Sequence, residues 1–226
     1  MSLKKEEGFL TRSGLRDVVL LLSAASAFFC PLTAAGTGVA LFLLLLGSFI
    51  HFLTKGVLIR NEVLCREGIY GVVRHPYYLA NYLIDSSFCV LSGNRYLLLL
   101  YPFLFFWSYG PTFRKEEGTL TAMHGDASVD YVLGTPPVFP DRHSVRNARP
   151  FAGFSWRRIS GKEVARITRF YAMTCIILVI HRKAPGAADL SFLRLPGTLA
   201  LLSLAALLYA AGLVILKLRK RKSDRA

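Results

Sequence analysis

The sequence predicts an all-α protein, a polytopic transmembrane helical bundle with about six spans. Hydrophobic residues make up 53% of the 226 residues, and several stretches are apolar on every side for roughly the 20 residues that cross a bilayer. A helix on the surface of a soluble domain would instead carry polar residues along one face. The Lys and Arg residues gather between alternate apolar stretches, which is the pattern of cytoplasmic loops.

Six segments combine this length with this composition: 18–32, 37–54, 77–92, 96–113, 164–180 and 195–216. Residues 34–36 are the expected turn between the first two spans, which would form a hairpin. Residues 92–94, Ser-Gly-Asn, supply turn chemistry between the third and fourth. Arg166 and Arg169 leave the fifth segment with a short uncharged core. If that segment lies in the interface instead, five spans remain.

The basic residues predict the orientation. All but four of the 28 Lys and Arg residues lie before the first span, in segments 55–74 and 114–169, or after the sixth span. Both termini are therefore predicted to be cytoplasmic. The net charge of +14 also predicts attraction to membrane lipids, since each Lys or Arg near an anionic surface contributes about 1 kcal/mol. Nucleic acid is not an expected partner, because the basic residues lack stacking aromatics at regular spacing.

The N-terminus and the cysteines each lead to an expectation. Acidic residues among the first basic ones, and the lack of a short apolar region with a small-residue cleavage site, predict no cleavable signal. The four cysteines have no CxxC spacing and fall in or beside different spans. Reduced thiols are therefore expected, and no metal site.

Three blocks follow from these patterns: an N-terminal hairpin (1–54), a central unit (55–140) and a basic linker with a C-terminal pair of spans (141–226). Aromatic rings and arginines alternate in the linker. We expect it to lie along the lipid headgroups, with Arg157 and Arg158 facing phosphates.

The first polar cluster opens the third span. Gly68 and Gly71 precede Arg74, His75 and Pro76, and proline suits the first turn of a helix because its missing N–H would be unpaired there. His75 and Arg74 would then lie beside free backbone donors, where an anion such as a carboxylate binds. The simpler interpretation is a basic pair that anchors the helix end to lipid phosphate.

The second polar cluster is at the cytoplasmic end of the fourth span. Glu116 and Glu117 follow Arg114 and Lys115, which they could simply neutralise. Alternatively, one carboxylate holds the cationic group of a ligand. Spans three and four share a short turn, so both clusters should lie at the same depth. An anion-binding group beside a cation-binding group indicates a zwitterionic ligand.

The pattern RHPYYL, followed by Glu116-Glu117 three residues before Leu120 and then by Gly125, Tyr131, Pro136 and Pro140, resembles a known signature. It is similar to RHPxYxG, EExxL and FGxxYxxYxxxxPxxxP of the isoprenylcysteine carboxyl methyltransferase and phospholipid methyltransferase family. The similarity covers residues 68–140, a third of the chain. The resemblance implies an integral membrane methyltransferase that uses S-adenosyl-L-methionine and a lipid-like or prenylated acceptor.

The resemblance also implies site residues in this sequence. Arg74 would lie near the cofactor carboxylate, and Glu117, with Glu116, would hold its ammonium. The other implied cofactor contacts are His75, Tyr78, Leu79, Gly125 and Tyr131, with Tyr131 closing a loop over the adenosine. Two residues are catalytic candidates. Glu117 could help an amine acceptor lose its proton, and Arg114 could orient an acceptor carboxylate or phosphate, or only contact a headgroup.

Three residues depart from the signature: Ala80 replaces the usual Gly, His124 a common Phe, and Ser128 an expected Tyr. Two other functions therefore stay open. One is an NADPH-dependent reductase of the sterol type, which carries a similar motif but usually has Asn where Tyr78 stands. The other is an inactive membrane scaffold. Asp85 is expected to face the bundle interior, either bonded to Asn81 or lining a substrate cavity.

Overall fold

A computed structural model describes residues 12–57, 65–147, 149–183, 200, 203–212 and 214–215, and within them the chain forms helices and no strand. The all-α prediction is therefore confirmed for this part of the chain. The helices are α1 (Arg12–Ser26), α2 (Ala34–Val57), α3 (Pro76–Leu91), α4 (Arg95–His124), α5 (Asp126–Gly134), α6 (Arg142–Asn147), α7 (Gly161–Lys183) and α8 (Ser203–Gly212), with short 3₁₀ turns at Gly68–Gly71 and Trp156–Arg158.

Two helices, α2 and α7, are long and apolar enough to cross a membrane. They correspond to the predicted second and fifth spans, so the segment that carries Arg166 and Arg169 meets this criterion. The 15 residues of α1 and 16 of α3 are fewer than a bilayer normally requires, and Tyr, Pro and Gly dilute the apolar character of α4. Part of the sixth segment, and both chain ends, lie outside the described residues. The six-span arrangement thus stays a prediction.

The turn between α1 and α2 lies earlier than predicted. Helix α1 ends at Ser26, and Pro31 prevents the helix from continuing because it lacks an N–H group. Thr33 then caps α2, since its Oγ1 accepts a hydrogen bond from the Gly36 amide at 3.0 Å. The predicted turn residues 34–36 are therefore the first turn of α2.

Three contacts define one end of the bundle, here called the Leu91 end. Asn94 caps α4 by accepting from the amides of Tyr96 and Leu97, and its side-chain amide donates to Ser26 Oγ at 3.2 Å. His181 Nε2, near the end of α7, lies 2.7 Å from the Leu91 carbonyl. Helices α1, α3 and α7 therefore run in the same direction, and their first residues meet at the opposite end, the His75 end.

Helix α3 packs most extensively on α2. A Cβ added to Gly47 would meet the Ala80 carbonyl at 3.0 Å and Ile84 Cγ1 at 2.8 Å. The close approach of the two helices therefore depends on Gly47 of α2. Ala80, which replaces the glycine of the signature, is fully buried on α3 and fits there because Gly47 has no side chain.

Asp85 lies inside the bundle, as predicted, but its partners are on other helices. Arg16 of α1 donates to both carboxylate oxygens, at 2.7 and 3.3 Å, and the Tyr101 hydroxyl of α4 donates at 3.1 Å. In the described part of the chain, Asn81 is not among the hydrogen-bond partners of this carboxylate. The charge of Asp85 is thus neutralised where it is buried.

The linker residue Arg158 caps the C-terminus of α2. Its Nη1 donates to the carbonyls of Gly56, Val57 and Gly153 at 3.2, 3.3 and 2.7 Å. Gly56 and Val57 are the last residues of α2, where carbonyls lack partners within the helix and a cation is favourable. Arg158 therefore holds the linker against the end of α2 through Nη1. Both Arg157 and Arg158 are exposed, and contact of either with lipid phosphate stays a prediction.

Candidate functional site

Two backbone hydrogen bonds hold the start of α3. The amides of Arg74 and His75 donate to the carbonyls of Pro136 and Pro137 at 2.9 and 2.8 Å. His75 is the N-cap of α3, and Pro76 occupies its first turn, as predicted. The segment after α5 thus fixes the direction in which Arg74 and His75 project.

The α3–α4 hairpin brings the two predicted polar clusters into direct contact. Glu117 Oε1 lies 2.7 Å from Arg74 Nη1 and 3.2 Å from His75 Nε2. The Tyr78 hydroxyl donates to Glu116 Oε1 at 2.5 Å, and His75 Nδ1 lies 3.6 Å from Glu116 Oε2. We call Arg74, His75, Tyr78, Glu116 and Glu117 the five-residue cluster. It contains a cation, two acids and two groups that can donate or accept a proton.

The donors of Arg74 are incompletely used. Its side chain is 10% exposed, and its buried Nε and Nη1 have no hydrogen-bond partner among the described residues. Nη1 is at ion-pair distance from Glu117, yet its N–H bonds do not point at that oxygen. Buried donors without an acceptor are costly, so this guanidinium has the chemistry of an oxyanion-binding group.

The acids of the cluster remain accessible. The side chain of Glu116 is 44% exposed and that of Glu117 is 27% exposed. Each carboxylate has two oxygens that accept several hydrogen bonds. A cationic group can therefore reach either acid while Tyr78 and His75 keep their contacts.

Aromatic rings form one wall of the cluster. The Phe113 ring stacks on His75, with centroids 5.3 Å apart and planes at 19°, and lies 4.9 Å from the Tyr78 ring. Tyr109 meets Tyr78 edge to face at 5.3 Å. These rings fix the side chains of the cluster and offer π faces that attract cations.

Burial lowers the pKa of His75 from its ordinary value near 6.5, although the hydrogen bond to Glu117 and the charge of Glu116 oppose this shift. The imidazole is therefore neutral at pH 7. In the Nε2–H tautomer it donates to Glu117 and leaves Nδ1 as an acceptor.

Four predicted site residues lie outside the five-residue cluster. Leu79 packs its side chain among buried apolar residues, and its amide donates to the His75 carbonyl. Arg114 is exposed, and no hydrogen bond or ion pair joins its side chain to the described part of the chain. Gly125 links α4 to α5 with a positive φ of 55°, which glycine favours. Roles of these residues in binding or catalysis stay predictions.

Tyr131, the fourth of these residues, is buried and donates to the Tyr70 carbonyl at 2.8 Å. Burial raises the pKa of its phenol above the ordinary value. It lines a cavity of about 610 Å³ together with Arg66, Gly68 and Arg149. Ser128, which replaces an expected Tyr, is buried and donates to the Gly125 carbonyl at 2.7 Å, so it stabilises the α4–α5 turn.

A larger cavity of about 1000 Å³ lies between α1, α3, α4, α7 and α8 and is bordered by Tyr78 and Tyr109. In the described residues no group of three His, Cys, Asp or Glu side chains could hold a metal ion.

Sequence reasoning missed the role of Phe113 and of the two proline carbonyls. Phe113 precedes Glu117 by four residues, a spacing that puts both on one helix face, so its position was a usable signal. No sequence signal indicated the role of the two proline carbonyls, because the pairing of residues 74–75 with 136–137 depends on the path of the chain between them.

No family model matches this chain, and neither a curated protein nor a solved structure matches it. The resemblance to membrane methyltransferases therefore rests on the motif residues themselves.

Proposed function

We propose that the protein is an integral membrane methyltransferase that transfers a methyl group from S-adenosyl-L-methionine to a lipid or lipidated acceptor. The observation that carries the proposal is the contact of Arg74 and His75 with Glu117, at 2.7 and 3.2 Å across 42 or more residues of chain. The interpretation of these groups as two independent surface features does not predict that contact.

The chemistry of the cluster fits this cofactor. S-adenosylmethionine carries a carboxylate, an ammonium and a sulfonium. Arg74 Nε and Nη1, which have no hydrogen-bond partner among the described residues, suit the carboxylate. The accessible oxygens of Glu116 and Glu117 suit the ammonium, and the aromatic wall suits the sulfonium.

When bound, the cofactor supplies a methyl group: the acceptor atom bonds to the methyl carbon as the C–S bond breaks, and the electron pair stays on sulfur. The protein has little covalent work in such a displacement. Its contribution is alignment, which can supply roughly 7 to 11 kcal/mol of the barrier. The hydrogen bond from Tyr78 to Glu116 and the stack of His75 on Phe113 hold the binding groups in place.

The acceptor decides whether a base is needed. A carboxylate acceptor needs none, whereas an ammonium must first lose a proton. Glu117 is the carboxylate that could assist such a step, and neutral His75 is a second proton acceptor. Arg114, which is exposed on the same helix, could orient an acidic group of the acceptor from solvent.

We place the protein in the membrane as a multi-pass bundle of six spans, with the His75 end and both termini on the cytoplasmic side. Large apolar side chains are exposed along the outer faces of α1, α2 and α4, among them Leu21, Phe42, Leu45, Phe103 and Trp107. Such continuous apolar surface is unusual for a soluble monomer. The distribution of Lys and Arg supports the orientation.

Isothermal titration calorimetry of the purified protein in lipid nanodiscs tests the proposal. S-adenosylmethionine should bind, and Glu117→Ala or His75→Ala should abolish binding while circular dichroism stays helical. Arg95→Ala, a change at an exposed residue at the opposite end of α4, serves as the control. NADPH binding without S-adenosylmethionine binding would support the reductase. If Glu117→Ala and His75→Ala bind S-adenosylmethionine as tightly as the unaltered protein does, the scaffold is supported instead.

A further inference from the structure

The larger cavity adjoins the five-residue cluster through one side chain. Tyr78 donates to Glu116 of the cluster and also borders the cavity. Tyr109, which packs edge to face on Tyr78, lines it as well. Only the Tyr78 side chain therefore separates a molecule in this part of the cavity from Glu116, one of the groups proposed to hold the cofactor.

The lining of the cavity changes from charged to apolar along the bundle axis. On α7, Arg166 and Arg169 come first, and Met173 and Ile176 follow at spacings of three and four residues, which puts them on one helix face. On α1, Arg16 likewise precedes Leu20. The charged part lies at the His75 end, and the cavity thus has the polarity of an amphiphile.

The cationic lining is not fully neutralised. Among the described residues that line the cavity, three are arginines and one is an acid, Asp17. Arg16 is paired with Asp85, and Arg166 with Glu163 at 2.8 Å. Arg169 uses only Nε, on the Ala165 carbonyl at 3.3 Å, and has no other hydrogen bond or ion pair with the described chain.

Asn81 adds an unsatisfied amide to the same cavity. The residue is 3% exposed, it lines the cavity, and its Oδ1 has no hydrogen-bond partner among the described residues. The two ends of a side-chain amide exchange by a half-turn, so Asn81 can donate to an oxyanion or accept from a neighbouring N–H or O–H. A ligand headgroup would satisfy this buried group.

We infer that this cavity binds an amphiphile with an oxyanion headgroup, carboxylate or phosphate, held by Arg169 and Asn81, with its hydrocarbon chain along Leu20, Met173 and Ile176. That this amphiphile is the methyl acceptor rests on the proposed function. The binding itself does not. An ammonium headgroup beside Asn81 is disfavoured, because Arg169 is the lining arginine without an acid partner among the described residues and would repel it. The cavity thereby favours an acidic acceptor over an amine.

Binding of four dodecyl amphiphiles tests this inference: laurate, dodecyl phosphate, dodecylammonium and dodecyl maltoside. They are titrated into the protein in phosphatidylcholine nanodiscs, with empty nanodiscs subtracted. Laurate or dodecyl phosphate should bind roughly tenfold or more tightly than dodecylammonium, as expected for one charge-assisted pair. Whichever of laurate and dodecyl phosphate binds more tightly identifies the preferred headgroup as carboxylate or phosphate. Equal affinity for the anionic and cationic compounds would overturn the inference.

Two variants and one control locate the site. Arg169→Gln should remove most of the preference for the anions, whereas Arg157→Gln, an exposed arginine in the linker, should keep it. Met173→Trp fills the apolar part and should weaken all four compounds. If Arg169→Gln and Arg157→Gln behave alike, the headgroup lies elsewhere and the inference fails.

Cofactor titrations on the same samples separate this inference from the proposed function. Arg169→Gln should bind S-adenosylmethionine as the unaltered protein does, since Arg169 is not in the five-residue cluster. Selective binding of anions without cofactor binding would support the cavity and refute the methyltransferase. Cofactor binding without a preference for anionic headgroups would support the methyltransferase and refute the inference about the cavity.

Discussion

The bundle contains two groupings of an arginine, an acid and a tyrosine, and they differ in how completely their polar atoms are used. In the interior, Asp85 is 1% exposed and receives both a two-point contact from Arg16 and the Tyr101 hydroxyl. At the His75 end, Glu117 is 27% exposed, and Nε and Nη1 of the neighbouring Arg74 have no hydrogen-bond partner among the described residues. The same residue types thus build a closed structural contact in one place and an open binding site in the other.

This difference follows from desolvation. A buried ion pair persists only when each partner satisfies the other, so the Asp85 grouping has no capacity left for a ligand. A half-exposed acid keeps water, which a ligand cation can replace. We therefore expect substitutions in the interior grouping to alter stability, and substitutions in the five-residue cluster to alter binding.

The largest expected effect is that of Asp85→Leu. It leaves the Arg16 guanidinium buried without a counter-charge, and because arginine cannot release its proton, the free energy of unfolding should fall by about 3–5 kcal/mol. Chemical denaturation in detergent measures the loss. The double variant Arg16→Met with Asp85→Leu should recover most of it. Full stability of Asp85→Leu alone would contradict a structural role for the pair.

Arg74→Met is the counterpart in the cluster. Glu117 keeps His75 and solvent as partners, so the free energy of unfolding should change by less than about 1 kcal/mol. Affinity for S-adenosylmethionine should fall roughly 10- to 100-fold, the equivalent of one charge-assisted hydrogen bond. Arg95→Met, on the far end of α4, is the control for calorimetry. A large stability loss with unchanged affinity would reverse the comparison.

A matched pair of Tyr→Phe changes refines the contrast. Tyr101→Phe removes one donor to the buried Asp85 and should cost about 1 kcal/mol of stability without an effect on cofactor binding. Tyr78→Phe frees Glu116, which water can solvate, so stability should hold and cofactor affinity should fall severalfold. Thermal unfolding measures the stability of both variants, and calorimetry measures their affinity for S-adenosylmethionine. If the two variants change stability and affinity alike, the tyrosines do not have separate roles.

The smallest expected effect is a pH dependence from His75. Its pKa is below 6.5 in the folded protein, so the unfolded chain takes up the proton first as the pH falls. The stability associated with neutral His75 is complete above pH 6.5 and is lost as the pH falls through the folded pKa. His75→Gln should flatten this part of the stability curve measured between pH 7.5 and 5, in comparison with the unaltered protein. Parallel curves would mean that His75 does not titrate in this way.

Local signals predicted the parts of the fold that depend on neighbouring residues. Ser92, Gly93 and Asn94 form the turn between α3 and α4, and Pro76 is in the first helical turn. Both depend on backbone geometry and capping that a few consecutive residues determine. From that turn followed the prediction that both polar clusters lie at the same depth. The direct contact of His75 with Glu117 also depends on the hydrogen bonds of residues 74–75 to Pro136 and Pro137.

Local signals gave the wrong position where neighbouring ones compete. The turn before α2 was predicted at residues 34–36, whereas Pro31 and the Thr33 cap place it before residue 34. The contacts of Arg158 Nη1 with the carbonyls at the end of α2 join segments about 100 residues apart, and no local pattern predicted them.

The sequence by itself predicted a helical chain with about six apolar segments, of which two described helices, α2 and α7, are long and apolar enough to cross a membrane. It also supplied the acids and bases of the candidate site, because hydrophobic periodicity and turn chemistry are local properties. Only the tertiary structure decided which charges neutralise one another. Arg16 forms an ion pair with Asp85, whereas Arg169 and Asn81 line a cavity. Such pairings depend on which helix faces meet at the same depth, and no short stretch of residues contains that information.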